Sequence, residues 1–319
     1  MRLILMGTGA FAIPAFQAVL ASRHEVLALV TRSVPPAIGR HKGPVNPVLE
    51  MFAASGKPVL PLDNVNAAAA HDQLRQWAPD LFVVCDFGQI LKPETLSIAR
   101  CGGINLHGSL LPRYRGAAPV NWAIWQGETE TGVTVIHITP RLDSGPCLTT
   151  ARTQIAPGED APALERRLAL MGVEPVLQAI DMLEAWDGQT PLGTPQDPAQ
   201  ATLAPRLQKA HGRVDWTRPA GDIVNQIRAL RPWPGTYTHW LREQRPVRLI
   251  LERAAVDERT TASEPGRVMR VDRQAIVVAT GHQCLAIRQL QPAGKRILDA
   301  HEFLCGYPVQ VGDSLGDSD

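Results

Sequence analysis

Alternating β-like and helical segments in the first half of the chain restrict the fold more than any other feature. The β-like runs are short and mostly apolar: Arg2–Met6, Glu25–Thr31, Leu81–Asp86, Gly103–His107 and Thr131–Thr139. Apolar residues at helical spacing separate the runs, as over Ile13–Ala21 and Asn66–Trp77. Strands that alternate with helices form a parallel sheet covered on both faces. The pattern predicts a doubly wound parallel-sheet (Rossmann-like) α/β domain, closed by one long helix over Ala161–Trp186 that is kinked near Pro175.

A change of pattern divides the chain into two predicted domains. Residues 188–203 are rich in Gly, Pro, Gln, Thr and Asp, which predicts a linker after a first domain over 1–187. Five short β-like runs follow: Thr236–Leu241, Val247–Ala255, Gly266–Val271, Ala275–Ala279 and Cys284–Leu290. They predict a small C-terminal β-barrel (OB-like) domain over 204–308. The Gly-, Ser- and Asp-rich residues 309–319 predict a flexible tail.

The segment Cys101–Pro119 carries the strongest indication of chemistry. Asn105 and His107 alternate with apolar residues, so in a strand their side chains share one face. Asp143 follows the next β-like run. Because ligands bind at the carboxyl ends of parallel strands, we expect Asn105, His107 and Asp143 to meet at that edge of the sheet.

An amide, an imidazole and a carboxylate together suit the attack of an amine on a carbonyl group. The Asn105 amide and a protonated His107 can donate to the developing oxyanion, each being worth roughly 3 kcal/mol when preorganised. Asp143 can keep His107 charged and accept the proton of the amine. Taken singly, a strand histidine is usually a packed residue and an Asp before Ser-Gly a turn former. Their combination favours the catalytic interpretation.

The sequence INLHGSLLPRYRGAAP, followed by TGVT and LDSG, resembles the signature of formyltransferases that use 10-formyltetrahydrofolate. Over its whole length, the chain is most similar to the members that formylate initiator methionyl-tRNA. The resemblance implies that Asn105, His107 and Asp143 are the catalytic residues. It also implies two segments that contact the folate: Ser109, Leu110, Leu111 and Pro112, and Phe87, Gly88, Gln89 and Ile90. In the second segment Asp86 and Lys92 depart from the family pattern.

Two basic segments are candidates for binding tRNA. Residues 201–319 hold 17 Lys and Arg against 13 Asp and Glu, a modest excess that also suits an ordinary soluble surface. Family members have a basic loop where this chain has the Pro/Gly-rich segment 32–47, so the resemblance implies contacts by Arg40 and Lys42. The resemblance also implies tRNA contacts by Lys295 and Arg296, which lie in the segment QPAGKR. Sugar formyltransferases are expected to lack this segment.

Several alternatives stay open. The strongest is an N-formyltransferase of an amino sugar nucleotide, followed by a formyltetrahydrofolate hydrolase and a non-enzymatic RNA-binding protein. The GTGAFA segment at Gly7 also fits a dinucleotide-binding turn, but Thr31-Arg32 stands where an acidic ribose ligand is expected. Five widely spaced cysteines without a C-x-x-C pair predict no disulfide framework, and no metal is expected. Without a long apolar run or a signal peptide, we expect a cytoplasmic enzyme with no membrane contact and no obligate protein partner.

Overall fold

The computed structural model describes residues 1–33, 46–242, 246–260 and 262–316. Its strands are β1 (Arg2–Gly7), β2 (Glu25–Thr31), β3 (Val59–Pro61), β4 (Leu81–Cys85), β5 (Gly103–His107), β6 (Arg115–Gly116), β7 (Glu130–His137), β8 (Cys147–Gln154), β9 (Leu203–Ala204), β10 (Thr236–Leu241), β11 (Val247–Asp257), β12 (Val268–Val271), β13 (Ile276–Ala279), β14 (Cys284–Pro292), β15 (Leu298–Asp299) and β16 (Ser314–Gly316). Its helices are α1 (Ile13–Leu20), α2 (Pro47–Ala53), α3 (Ala68–Gln76), α4 (Pro93–Leu96), α5 (Pro119–Trp125), α6 (Ala161–Met171), α7 (Val173–Glu184), α8 (Ala220–Ala229) and α9 (Ala300–Gly306). None of the helices in these ranges is long and apolar enough to cross a membrane.

The chain forms two compact units. The first contains Met1–Pro119, Glu130–Gln154 and Ala163–Pro205, and the second contains Val120–Thr129, Ile155–Pro162 and the residues from Arg206 onward. The boundaries predicted at 187 and 203 stay predictions, but residues 188–203 do not behave as a free linker. Thr194 exchanges backbone hydrogen bonds with Cys147, and β9 pairs with β6, so this segment is part of the first unit.

A seven-stranded sheet forms the centre of the first unit, in the order β3-β2-β1-β4-β5-β7-β8. Strands β1 to β5 are parallel, and every residue of β4 is buried. Such uninterrupted apolar strands are expected where both faces of a sheet are covered. The predicted Rossmann-like fold is confirmed for this part of the sheet.

Strand β7 runs opposite to the predicted direction. It pairs antiparallel to β5, with His107 opposite Thr134 and Ile104 opposite His137. The end of β7 therefore lies beside the start of β5, and the reasoning that put Asp143 at a shared carboxyl edge is wrong. An apolar pattern marks a strand but contains no information on its direction. The loop 138–146 instead returns Asp143 to the side chains of β5.

The long helix predicted over Ala161–Trp186 is two helices, α6 and α7, which meet at Gly172, in the turn before Pro175. A Cβ atom on Gly172 would lie 2.7 Å from Cδ2 of Leu106. Pro175 lies in the first turn of α7, where a missing N–H group costs no helical hydrogen bond. A proline ring clashes with the carbonyl four residues earlier, here that of Met171, so the break lies where the kink predicted near Pro175 is expected. Close packing against β5 accounts for the glycine at the break.

Replacing Gly132 in β7 with Ala should lower the free energy of unfolding by about 1–3 kcal/mol, the usual cost of overpacking. A Cβ atom there would lie 2.1 Å from the backbone oxygen of Ala151 on β8 and 2.5 Å from Cδ2 of Leu110. Chemical denaturation measures the effect. Gly221→Ala is the matched control, because nothing lies within 4 Å of its added methyl group. Equal stability of the two variants would contradict the close approach.

A nearly closed antiparallel barrel forms the centre of the second unit, in the strand order β12-β13-β14-β11-β10-β16. Arg267, just before β12, forms a bridge with Ser314 of β16, and the Leu315 amide donates to the Gly266 carbonyl at 2.8 Å. These contacts join the first and last strands. The predicted C-terminal barrel is confirmed.

The closing strand lies within the predicted flexible tail, so that prediction is wrong for residues 309–316. Strand β16 pairs with β10, and Leu315, only 3% exposed, packs in the barrel core with Val309. Two isolated apolar residues among Gly, Ser and Asp are too few to indicate a strand from sequence. Only the partner strands make their burial favourable.

Candidate active site

Three side chains, those of Asn105, His107 and Asp143, meet over one face of β5. Oδ2 of Asp143 lies 3.6 Å from Nδ1 of His107. Nδ2 of Asn105 donates to Oδ1 of Asp143 at 3.4 Å. His107 is only 5% exposed, whereas Asn105 is half-buried. The structure thus brings the predicted amide, imidazole and carboxylate together, although by a different route of the chain from the one expected.

One hydrogen bond fixes the orientation of the His107 ring. Nε2 lies 2.9 Å from the backbone oxygen of Tyr114. A carbonyl oxygen can only accept, so Nε2 must carry a hydrogen. The other nitrogen, Nδ1, faces Asp143. A second proton on the ring would therefore sit at Nδ1, beside the carboxylate that also accepts from the Asn105 amide.

A backbone amide holds the carboxylate of Asp143 in place. The N–H group of Gly116 donates to Oδ2 at 2.9 Å. Asp143 itself has φ of +45°, a left-handed conformation that is unusual for a residue other than Gly, Asn or Asp. Sequence reasoning missed Tyr114 and Gly116 as site residues. Their position inside the RYRGAAP part of the signature was the available signal.

The first predicted folate segment forms a tight turn beside the cluster. Ser109 is fully buried, and its hydroxyl donates to the Arg113 carbonyl at 2.6 Å. The hydroxyl of Thr134 donates to the Ser109 carbonyl at 2.8 Å and accepts from the Leu111 amide. Leu110, Leu111 and Pro112 are half-buried. The serine therefore stabilises the turn, while the three apolar residues present surface.

The second predicted folate segment, 87–90, also contains both residues that are bonded or packed within the protein and residues that are exposed. Phe87 is 2% exposed and packs in the core below the sheet edge. The Gln89 amide is also used internally, because it donates to the Leu62 carbonyl at 3.0 Å and accepts from the Val65 amide at 2.8 Å. Gly88 and Ile90 are exposed, Ile90 by 61%. Gly88 and Ile90 are thus the exposed residues of this segment, whereas Gln89 is half-buried and its amide is already bonded to the protein.

Asp86, the unexpected residue before this segment, lies directly against the loop that follows β1. A Cβ atom on Gly9 would be 1.5 Å from Oδ2 of Asp86, so the glycine makes room for the carboxylate. The carboxylate remains accessible, yet surrounding protein atoms displace enough water to raise the pKa of Asp86. Desolvation, and then the charge of Asp86, raise the pKa of Glu165 as well. The two acids therefore lie close enough for their charges to interact.

The structure describes two of the four residues predicted to contact tRNA. Arg40 and Lys42 lie outside the described residues. Lys295 and Arg296 are exposed in the turn after β14, where Arg296 forms an ion pair with Glu302 at 2.9 Å that raises its pKa. A third cation, missed from sequence, is Arg248. The Ala293 amide of the same turn donates to its carbonyl at 3.1 Å.

One group of side chains in the described part of the chain has the composition of a metal site: His24, Asp181 and Glu184. Arg23 contacts both carboxylates, with Nη2 lying 2.7 Å from Oδ1 of Asp181 and also bonded to Glu184. Burial lowers the pKa of His24. The guanidinium already neutralises much of the acidic charge, so this group is explained by its ion pairs, and the absence of a metal stays a prediction.

The comparisons with known proteins agree with both units. The Formyl transferase family model matches residues 1–180, and the model of the Formyl transferase C-terminal domain matches residues 206–308. Among solved structures, the N-formyltransferase from Helicobacter canadensis in complex with folinic acid and dTDP-3-aminofucose is 16% identical, with a TM-score of 0.63, covering 90% of this chain and 99% of that one. HypX from Aquifex aeolicus in complex with tetrahydrofolic acid is 18% identical, with a TM-score of 0.59. This chain, 99% of which is covered, spans 50% of HypX. These two likenesses concern the fold.

A curated relative gives a closer match. The methionyl-tRNA formyltransferase from Rhodopirellula baltica is 41% identical over 325 residues, which cover 99% of this chain and 96% of that protein. Both compact units are included in the matched length. The chain belongs to the methionyl-tRNA formyltransferase family.

Proposed function

We propose that this chain transfers the formyl group of 10-formyltetrahydrofolate to the amino group of initiator methionyl-tRNA, giving N-formylmethionyl-tRNA for translation initiation. The observation that carries the proposal is the cluster of Asn105, His107 and Asp143, in a family member related over its full length. The cluster contains two groups that can donate to an oxyanion and one that can accept a proton. No serine or cysteine nucleophile is needed, because the amine itself attacks.

The reaction begins when the amine nitrogen attacks the formyl carbon and the carbonyl electrons move to oxygen. The Asn105 amide and a proton at Nδ1 of His107 donate to this oxyanion. Asp143 stabilises the charge of the imidazolium across 3.6 Å. Since Nε2 is bonded to the Tyr114 carbonyl, Nδ1 is the atom assigned to the oxyanion.

Collapse of the intermediate expels N10 of the folate. The C–N10 bond breaks, the carbonyl re-forms, and N10 takes up a proton. The attacking nitrogen loses one proton, which Asp143 accepts directly or through a water molecule. The products are a formamide on the methionyl group and tetrahydrofolate, so one proton moves from the amine to N10 overall.

We assign donor binding to the two surfaces that flank the cluster. Leu110, Leu111 and Pro112 provide half-buried apolar surface on one, and Gly88 with Ile90 provide exposed surface on the other. An apolar lining with a few polar groups suits a flat, conjugated ligand such as a pterin. Ser109, Phe87 and Gln89 are assigned to shaping these surfaces rather than to direct contact.

The turn after β14 is our proposed tRNA surface in the barrel. Lys295, Arg296 and the neighbouring Arg248 are exposed, and Arg248 stacks with its Cζ atom 3.9 Å from the centre of the Tyr237 ring. Stacking restricts the guanidinium plane while its edge remains able to bind phosphate. Among the described residues no carboxylate forms an ion pair with Arg248 or Lys295.

Replacing Lys295, Arg296 and Arg248 together with Ala should raise the KM for tRNA about tenfold at moderate salt and flatten its salt dependence. Lost phosphate contacts release fewer counterions, whereas kcat at saturating tRNA should stay within twofold of the wild type. Arg259→Ala is the control, since this exposed arginine is paired with Asp257 and lies beyond the far end of β11 from Arg248. An unchanged KM in the triple variant would remove this turn from the tRNA surface.

A direct assay tests the function. Purified protein is mixed with 10-formyltetrahydrofolate and either methionyl-tRNA or a formyl-accepting amino sugar nucleotide, and mass spectrometry follows the formyl group. We expect formylmethionine on the tRNA. A formylated sugar would keep the chemistry but overturn the acceptor. Release of formate without transfer would indicate the hydrolase instead.

A further inference from the structure

We propose that Gln196 is a positioning residue that holds Asp143 in place for formyl transfer. The inference rests on the proposed function, because it assigns a role to a residue that acts through the candidate catalytic carboxylate. Gln196 lies in the segment between α7 and β9, which sequence reasoning treated as a linker. Nothing in the signature motif indicates it.

The Gln196 side chain makes four hydrogen bonds within the first unit. Its amide nitrogen donates to the backbone oxygens of Asp143 at 2.9 Å and Gly145 at 2.8 Å. Its amide oxygen accepts from Nε of Arg115 at 3.1 Å and from Nη2 at 2.6 Å. A primary amide has two N–H donors and two lone pairs, so its whole bonding capacity is used. A carboxylate or an apolar side chain of similar size cannot make this set of bonds.

These bonds act on the two parts of the chain that fix the Asp143 carboxylate. One part is the backbone of the 138–146 loop, on both sides of Ser144. The other is Arg115, whose neighbour Gly116 donates its N–H group to the carboxylate. Gln196 therefore closes a ring of contacts in which Asp143 is held through its carbonyl and through its side chain.

The conformation of Asp143 explains why such a support is needed. Its φ of +45° is disfavoured for an L-residue and persists only where neighbouring contacts determine it. The other side-chain bonds that the described loop residues Thr139 and Ser144 make are local, as in the Ser144 hydroxyl donating to the Arg141 carbonyl. Within the described part of the chain, Gln196 connects the main chain at Asp143 to a segment distant in sequence.

The same segment also supports the histidine. The hydroxyl of Thr202 accepts from the Tyr114 amide at 2.8 Å, and the Tyr114 carbonyl in turn accepts from His107. The segment 196–202 thus bonds to the backbone of the Asp143 loop and to that of Tyr114, whose carbonyl holds His107. This second contact, made by a different residue, agrees with a positioning role for the segment.

Gln196→Leu should lower kcat for methionyl-tRNA formylation between 10- and 100-fold, with both KM values within about twofold of the wild type. A displacement of about 1 Å in a reacting group is enough for a loss of this size. Gln196→Glu should give a similar loss, because it retains acceptors for Arg115 but lacks both donors to the loop. Gln200→Leu is the matched control: it removes the same amide from the same segment, where among the described residues its side chain bonds to exposed Asp197 alone. We expect wild-type turnover and an equal melting temperature from the control.

A double-mutant cycle separates positioning from a general structural effect. In the Asp143→Asn background, Gln196→Leu should lower kcat less than threefold, since the carboxylate that Gln196 positions is already missing. An equal fold-loss in both backgrounds would overturn the inference, as would wild-type kcat in folded Gln196→Leu and Gln196→Glu. If wild-type protein fails to formylate methionyl-tRNA, the proposed function fails and this inference falls with it. Active wild type with unaffected Gln196 variants overturns the inference alone.

Discussion

Replacing Asp143 with Asn should lower kcat for formyl transfer about 10³-fold while the protein stays folded. The loss of a positioned proton acceptor typically costs between 10² and 10⁴ in rate. Folding should be preserved because Asn is, after Gly, among the residues that best tolerate the left-handed backbone found at Asp143. The substitution therefore removes charge with little change in shape.

The hydrogen bonds around Asp143 suggest that the loss will be larger than the removal of one charge. Its two oxygens accept from the Gly116 amide and from the Asn105 side chain. An asparagine has only one oxygen, so it can satisfy only one of these donors and must present an N–H group to the other. The flexible Asn105 amide is the partner free to rotate. It would then turn its oxygen toward position 143 and no longer hold its present orientation.

Steady-state kinetics with saturating folate and tRNA measure the effect, and thermal unfolding checks the fold. Asp72→Asn is a suitable control, since this exposed carboxylate pairs with Arg75 on the surface of α3 and lies outside the cluster. Wild-type turnover in Asp143→Asn would remove Asp143 from the chemistry. A raised KM for the folate with unchanged kcat would assign it to donor binding instead.

Local sequence was sufficient to predict that Asn105, His107 and Asp143 lie together, but not to explain how they meet. Two polar residues at alternate positions of an apolar strand must share a face, whatever the rest of the chain does. The position of Asp143 depends on a loop that returns over the sheet after an antiparallel strand. Its conformation is set by Gly116 and Gln196, which lie far away in sequence, so no local pattern predicts it.

The folate segments show a second limit of sequence reasoning. A motif that matches a family assigns one role to every residue in it, but neighbouring residues point to different places. Ser109 and Gln89 use their polar groups on the protein itself, whereas Ile90 and Pro112 remain at the surface. The same limit applied to Leu315, which looked like part of a tail and closes the barrel. Whether a residue packs in the core or remains at the surface depends on its burial and on the strands that pair with it, which a local motif does not contain.

Two substitutions of His107 should separate its structural role from its catalytic one. In His107→Gln, the terminal amide nitrogen can take the position of Nε2 and keep the hydrogen bond to the Tyr114 carbonyl, now 2.9 Å long. In His107→Asn, the shorter amide reaches the position of Nδ1 and the hydrogen bond to that carbonyl is lost. The first variant retains the local structure and loses the charge, whereas the second loses both.

We expect kcat to fall about 10³-fold in His107→Gln at unchanged melting temperature, because the amide that keeps the hydrogen bond to Tyr114 leaves no donor at the position of Nδ1 for the oxyanion. His107→Asn should lose at least as much activity and also some stability, since the hydrogen bond to the Tyr114 carbonyl is lost at a cost of about 0.5–1.5 kcal/mol. Kinetics and thermal unfolding of both variants provide the test. If His107→Gln instead retained full activity, the hydrogen bond to Tyr114 would be the whole contribution of the ring. The oxyanion would then depend on Asn105 alone, and Asp143 would act on the amine rather than through the histidine.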